Sequence, residues 1–388
     1  MKLKKQINRV AKRIAAFING LVPKNDKRVI FITNPDFTGN GMAFYEFLYK
    51  HHKEYELIWF LKEDMHGNGL SDGVRYVKQK SLRAIWLYVR SKYIITTHNE
   101  MIGIKSKKQI YLSLWHGMPL KKIGYLADSE AGNMEAFPAE RIATSEIMRA
   151  IIASSFKEDA SKVHVLGQPR NDYLFNNINI LEPKSGNHKK ILYMPTFRKN
   201  TNNDDFSDGK GIDDNNFFRV KDFHLESLKQ YLEKNNIVLY LKFHPFEEKL
   251  LPESIESDNI KVITSDYCKS KNIDVNSILA EIDLLITDYS SVYFDYLILN
   301  RPIVFLIPDL EEYSALRGGY TLEPVEYWMP GRKVLKQSEV IQELDHLLKS
   351  EDEFFLKRKE INSLINRYSD GKNCQRLYDK FFNGKTDA

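Results

Sequence analysis

Cysteine is nearly absent: Cys268 and Cys374 are the only two in 388 residues, and they lie far apart in the chain. That excludes a disulfide scaffold and a cysteine-based zinc site, and it fits a reducing compartment. No uninterrupted apolar run approaches the ~18 residues a membrane-spanning helix needs. The phosphate-binding signatures G-x-G-x-x-G and G-x-x-x-x-G-K-[ST] are missing, which disfavours a dinucleotide dehydrogenase and a P-loop nucleotidase. No cluster with metal-ligand spacing is present. The pairs Asp204-Asp205 and Asp213-Asp214 fall in a polar stretch, 199–216, and read as solvated charges. Neither a metal nor a cofactor is expected.

What is present is ordinary for a globular protein: 43% apolar and 28% charged residues. The length suits two or three domains of ~150 residues each. The net charge is +5, and its distribution says more. Residues 1–28 carry nine bases against Asp26 alone, so this segment holds +8 and the rest of the chain −3. A nucleic-acid binder more often spreads a basic stripe over its folded domain, so no nucleic-acid partner is expected. Leu3, Ile7, Val10, Ile14, Phe17 and Leu21 recur at helical spacing, with Lys2, Lys5, Arg9, Lys12 and Arg13 mostly off that stripe. The pattern predicts a basic amphipathic helix over 1–24, lying on an anionic membrane surface. Its interrupted apolar residues do not form the core of a signal peptide. A helix packed on its own domain is the alternative.

Beyond residue 28, short β-rich runs alternate with helical stretches. Strands are predicted at 28–33, 56–61, 74–78, 93–97, 110–115, 141–144 and 163–166, then at 190–194, 237–243, 261–264, 284–287 and 303–307. Many are continuous apolar runs, as in parallel sheets covered on both faces. A polar stretch at 176–189 reads as a linker. The expectation is an α/β chain with two Rossmann-type domains, 25–180 and 185–345, followed by C-terminal helices over 346–388. Ligands of such sheets bind outside the carboxyl ends of the strands, and the expected site is a cleft between the domains.

Five polar clusters fall at those strand ends. In Trp115-His116-Gly117-Met118-Pro119, glycine and proline turn the chain and project His116, whose ordinary pKa of ~6.5 suits a general base. Lys121 and Lys122 follow and suit an anionic acceptor, or simply solvent. Gly167-Gln168-Pro169-Arg170-Asn171-Asp172 places an arginine on a tight turn, where paired donors grip phosphate or a carboxylate. Pro195-Thr196-Phe197-Arg198 offers a hydroxyl and a second arginine. In Lys242-Phe243-His244-Pro245, strand alternation points Lys242 and His244 the same way as a phosphate grip. Thr287-Asp288-Tyr289-Ser290-Ser291 runs into a helix whose free N–H groups, with Ser290 and Ser291, would hold an anion, and Asp295 would accept from a ligand hydroxyl. Ordinary serine capping is the competing account. Together the clusters suit a nucleotide diphosphate and phosphate chemistry.

In this order the clusters resemble the signature of the CDP-glycerol glycerophosphotransferases, the wall teichoic acid primases and polymerases of Gram-positive bacteria, over about residues 28–380. The resemblance implies a GT-B-like fold, metal-independent transfer of glycerol phosphate from CDP-glycerol to a lipid-linked hydroxyl, and release of CMP. It implies His116 as the base and His244 as a second essential histidine at the phosphates. It assigns donor binding to Trp115, Gly117, Met118, Pro119, Arg170, Pro195, Thr196, Arg198, Lys242, Phe243, Ser290, Ser291 and Asp295. Met118 departs from the threonine expected there. The lack of a large N-terminal region favours the primase, acting on an undecaprenyl-linked ManNAc-GlcNAc disaccharide at the cytoplasmic face of the membrane. A polyol-phosphate polymerase, a CDP-ribitol donor and a GT-B sugar transferase stay open.

Overall fold

The computed structural model describes residues 2–62, 74–132, 134–176, 179–181, 188–198, 212, 215–350 and 352–383. The pairs Asp204-Asp205 and Asp213-Asp214, and most of the 176–189 linker, lie outside them. So do the side chains of Leu3 and Ile7.

The chain forms two compact units. The first comprises 1–118, 133–175 and 368–388, and the second 119–132 and 176–367. The C-terminal helices therefore form no unit of their own. Phe355–Ile365 belongs to the second unit and Asn373–Phe381 to the first. The reason is apolar: Cys374 and Leu377 join the core of the first sheet beside Tyr93 and Ile142.

The first unit holds β1 (Asn25–Ile32), β2 (Glu56–Leu61), β3 (Arg75–Lys78), β4 (Ser91–Thr96), β5 (Ile110–Ser113), β6 (Glu140–Ala143) and β7 (Val163–Val165). All pair in parallel, in the order β3-β2-β1-β4-β5-β6-β7. Val29 and Phe31 face one core while Ile30 and Ile32 face the other, so the apolar run of β1 is a strand covered on both sides. Three helices matter below: α1 (Lys2–Leu21), α2 (Gly39–His51) and α3 (Leu82–Arg90). The Ser81 hydroxyl starts α3 by accepting from Ala84 N–H.

The second unit holds β8 (Lys189–Tyr193), β9 (Ile237–Leu241), β10 (Ile260–Val262), β11 (Leu284–Thr287), β12 (Ile303–Leu306) and β13 (Arg332–Val334). They too are parallel, in the order β10-β9-β8-β11-β12-β13. Counted within each unit, both sheets begin 3-2-1-4-5-6, the doubly wound order of dinucleotide-binding folds. The order reverses between β1 and β4, and between β8 and β11. Connections diverge there, the place where such sheets take their ligands.

Candidate active site

The polar clusters gather into two groups, one on each sheet. In the first unit, Leu114 N–H donates to Thr96 O at 2.8 Å, so the chain leaves β5 beside the tip of β4. Trp115 then takes a φ of 54° and Gly117 a φ of 147°. The first is unfavourable for a bulky residue, and the second is glycine territory. This reversal buries Leu114 and Met118 and leaves His116 exposed. The His116 ring lies 4.2 Å from that of Trp115 and 4.4 Å from that of His98.

The Gly167–Asp172 turn closes on the same loop. Arg170 Nη1 donates to His116 O at 2.8 Å. Asn40, wholly buried on α2, donates to Leu114 O and Trp115 O, both at 3.1 Å, and accepts from Arg170 N–H at 3.2 Å. Gly167 has a φ of 80°, and a Cβ there would lie 2.1 Å from Asn373 Oδ1, so no larger residue fits.

In the second unit the other three clusters meet. β8 and β11, the strands at the reversal point, lead into Thr196, three residues past Tyr193, and Asp288, directly after Thr287. Asp288 accepts from Thr196 N–H, from Thr196 Oγ1 at 2.7 Å and from Ser290 N–H at 2.9 Å. Arg198 pairs with Asp288 and Asp309, each at 3.2 Å, donates to the Tyr289 hydroxyl, and lies against the rings of Tyr289 and Tyr313. Burial opposes its charge, but Asp288, Tyr289 and Asp309 outweigh that, and its pKa is raised. His244 starts the Pro245–Glu248 turn, its Nδ1 accepting from Phe246 N–H, with its ring 4.2 Å from Phe197. Burial, then Lys242, lowers the His244 pKa. After residue 118 the chain enters this unit, where Lys121 Nζ donates to the Tyr313 hydroxyl, whose ring stacks on Tyr289.

Several side chains expected at the ligand are instead internal. Strand β9 stops at Leu241, so alternation does not extend to Lys242 and His244. Lys242 turns inward to Glu248 at 2.6 Å, Ser265 at 3.1 Å and Phe243 O at 2.9 Å. Arg198 is spent on its two aspartates. Phe243 belongs to the apolar core of the second sheet. Met118 and Asp295 are 1% exposed, and Gly117, Pro119, Pro195 and Thr196 are buried. Trp115, His116, Arg170, His244, Ser290 and Ser291 keep accessible surface. Ser291 makes no side-chain capping bond, so ordinary serine capping does not account for it.

Asn40, His98, Glu247, Glu248 and Asp309 were missed. Glu247 accepts from Arg219 at 2.6 Å and from Arg198 N–H at 3.2 Å. The acidic pair Glu247-Glu248, one residue past His244-Pro245, was a usable signal, since a lysine at a strand tip needs a carboxylate once buried. Asn40 and His98 carry no such local mark. Among the described residues, no group of His, Cys, Asp and Glu could hold a metal ion, and no helix is long and apolar enough to cross a membrane.

Two doubly wound parallel sheets in one chain, each with polar residues at its strand tips, make an α/β protein with a GT-B-like fold. The chain belongs to the CDP-glycerol:poly(glycerophosphate) glycerophosphotransferase family, whose profile matches residues 14–383. It is 32% identical to a teichoic acid poly(glycerol phosphate) polymerase of Bacillus spizizenii, covering 94% of this chain and 90% of that one. It is 28% identical to a teichoic acid glycerol-phosphate transferase of Staphylococcus aureus, covering 89% and 90%. The solved wall teichoic acid polymerase TagF superposes with a TM-score of 0.75 at 22% identity, over 97% of this chain and 96% of that one. The protein is thus a transferase of this family.

Proposed function

We propose that the enzyme moves glycerol phosphate from CDP-glycerol to a hydroxyl of a lipid-linked teichoic acid acceptor and releases CMP. The observation that carries this reading is the convergence of Thr196, Asp288 and Ser290 at the reversal point of the second sheet, where such folds take nucleotides, with the His244 ring against the neighbouring Phe197. His116 takes the acceptor proton as its oxygen attacks the β-phosphorus. The bond to CMP breaks, and His244, Ser290 and Ser291 of the second unit meet the charge on the phosphates, while Arg170 holds the loop that carries His116. Arg198, Lys242 and Thr196 hold the strand tips rigid, which is most of what phosphoryl transfer asks of a protein.

The chain's shortness does not single out the primase. The Bacillus polymerase matched over 90% of its length shows that a polymerase of this size exists. Repeated transfer is the second reading that this match favours. The test is CMP release from CDP-glycerol with a lipid-linked disaccharide, followed by sizing of the product. One added unit means priming and a ladder means polymerisation. Absence of CMP with an intact acceptor and a folded enzyme overturns the reading, and CMP from CDP-ribitol alone replaces the donor.

The reading includes an anionic membrane surface. Helix α1 packs its polar side inward: Asn19 is 1% exposed and donates to Ile104 O and Gln109, while Lys12 pairs with Glu135. Its apolar stripe faces out, with Phe17 70% and Leu21 67% exposed. Apolar side chains at that exposure, flanked by Arg9 and Arg13, suit a lipid interface better than water. Helix α3 repeats the pattern with Leu82, Ile85 and Trp86 exposed. Its surroundings, residues 74–97, hold Arg75, Lys78, Lys80, Arg83, Arg90 and Lys92 and no acid.

A further inference from the structure

The His98 and His116 rings lie face to face, with centroids 4.4 Å apart and planes 11° from parallel. They come from neighbouring strands: β4 and β5 pair with Thr96 opposite Ser113, and each chain leaves its strand within three residues of a histidine. Trp115 lies against the same His116 ring at 4.2 Å and 35°. The proposed base is therefore bounded by two aromatic groups.

His98 is itself fixed. Its Nδ1 lies 3.0 Å from Thr97 Oγ1, which accepts from Asn34 N–H. Its backbone N–H donates to Glu100 Oε2 at 2.9 Å. The charged groups around it are Glu100 from its own connection, Lys62 at the end of β2, Asp36 after β1, and His116 after β5. Burial, then Lys62, lowers the His98 pKa, so its ring stays neutral at neutral pH.

We propose that His98 is a positioning residue: its neutral ring is a platform that orients His116 and supports the imidazolium formed there during transfer. The inference rests on the assignment of His116 as base. In the step concerned, the acceptor oxygen gains its bond to phosphorus and gives its proton to His116, while the bond to CMP breaks and its electron pair leaves with CMP. Positive charge then appears on one ring of the stack. A neutral aromatic face stabilises a cation lying on it, whereas a second imidazolium would repel it. Keeping His98 neutral decides which of the two histidines takes the proton.

The experiment compares the full-length enzyme with His98→Ala, His98→Phe and His116→Ala, using CMP release across pH. Loss of the platform weakens the base, so His98→Ala should lower kcat about tenfold at unchanged donor KM. The acid limb of kcat/KM should move to lower pH by roughly half a unit or more, because the imidazolium is less favoured. His98→Phe, which keeps a neutral face and cannot titrate, should restore both to near the parent values. Circular dichroism reports whether each variant is folded. Parent-like kcat and acid limb in a folded His98→Ala, or failure of a folded His98→Phe to rescue, overturns the inference. Full turnover in His116→Ala overturns instead the assignment of the base.

Discussion

The Thr196 hydroxyl donates to Asp288 Oδ1 at 2.7 Å, joining the tips of β8 and β11 where their connections diverge. The same carboxylate accepts from two backbone N–H groups and pairs with the buried Arg198. The junction of these two strand tips depends on one aspartate.

Asp288→Asn should therefore destabilise the second unit as well as slow transfer. The amide cannot accept from all these donors, and Arg198 keeps only Asp309 as a charged partner. Weakening a buried ion pair from one side costs about 3–5 kcal/mol. The expected result is a clear fall in Tm together with loss of CMP release. An unchanged Tm would show that Asp288 does not organise this junction.

Lys242 and Glu248 give a second test, since their 2.6 Å contact is internal. Burial raises the Glu248 pKa, but its bonds to Lys242 and Ser265 outweigh that and hold the carboxyl below its ordinary value. Lys242→Met and Glu248→Leu should each destabilise by several kcal/mol, while the double variant recovers much of the loss. Donor KM in the double variant should stay within a few-fold of the parent. A large rise in KM at unchanged Tm would return Lys242 to the phosphates.

The strands were legible because buried parallel strands are written as apolar runs, and twelve expected runs appear as β1 to β12 with ends shifted by at most three residues. The thirteenth, Arg332–Val334, was not: an edge strand of three residues with two cations has no periodicity to read. The candidate histidines were legible because Gly117 and Pro245 mark the turns that expose them. Which charged side chains face a ligand was not. Arg198 and Lys242 look like phosphate ligands until the distant Asp309 and the nearby Glu248 are placed beside them.

His244 sets a pH dependence. Its folded pKa lies below its ordinary value, so the fold favours the neutral ring, which accepts from Phe246 N–H through Nδ1. For a base shifted downward, the unfolded chain binds its proton first. Stability from this group is full above about pH 6.5 and declines as pH falls toward and through the folded value. Ring NMR should show His244 titrating below the free-histidine value. The Tm difference between the parent and His244→Gln should shrink in acid. A His244 titrating above the free value would reverse the sign.

The membrane surface is best tested through Trp86, which stands on α3 and not on the helix that the sequence singled out. Helix α1 and helix α3 both turn apolar side chains outward, and Leu82 is 87% exposed. Burying such a side chain in lipid is worth roughly 1.5–3 kcal/mol, so two helices bind more tightly than either alone. Phe17→Ser with Leu21→Ser should weaken flotation on anionic vesicles, and adding Leu82→Ser and Trp86→Ser should abolish it. Bases near the surface make binding fall with added salt. Lipids brominated near the headgroup should quench part of the tryptophan emission in the parent, and Trp86→Phe should remove that part. If Trp86→Phe leaves the quenchable fraction unchanged while vesicle binding persists, α3 does not enter the bilayer and α1 is the sole anchor.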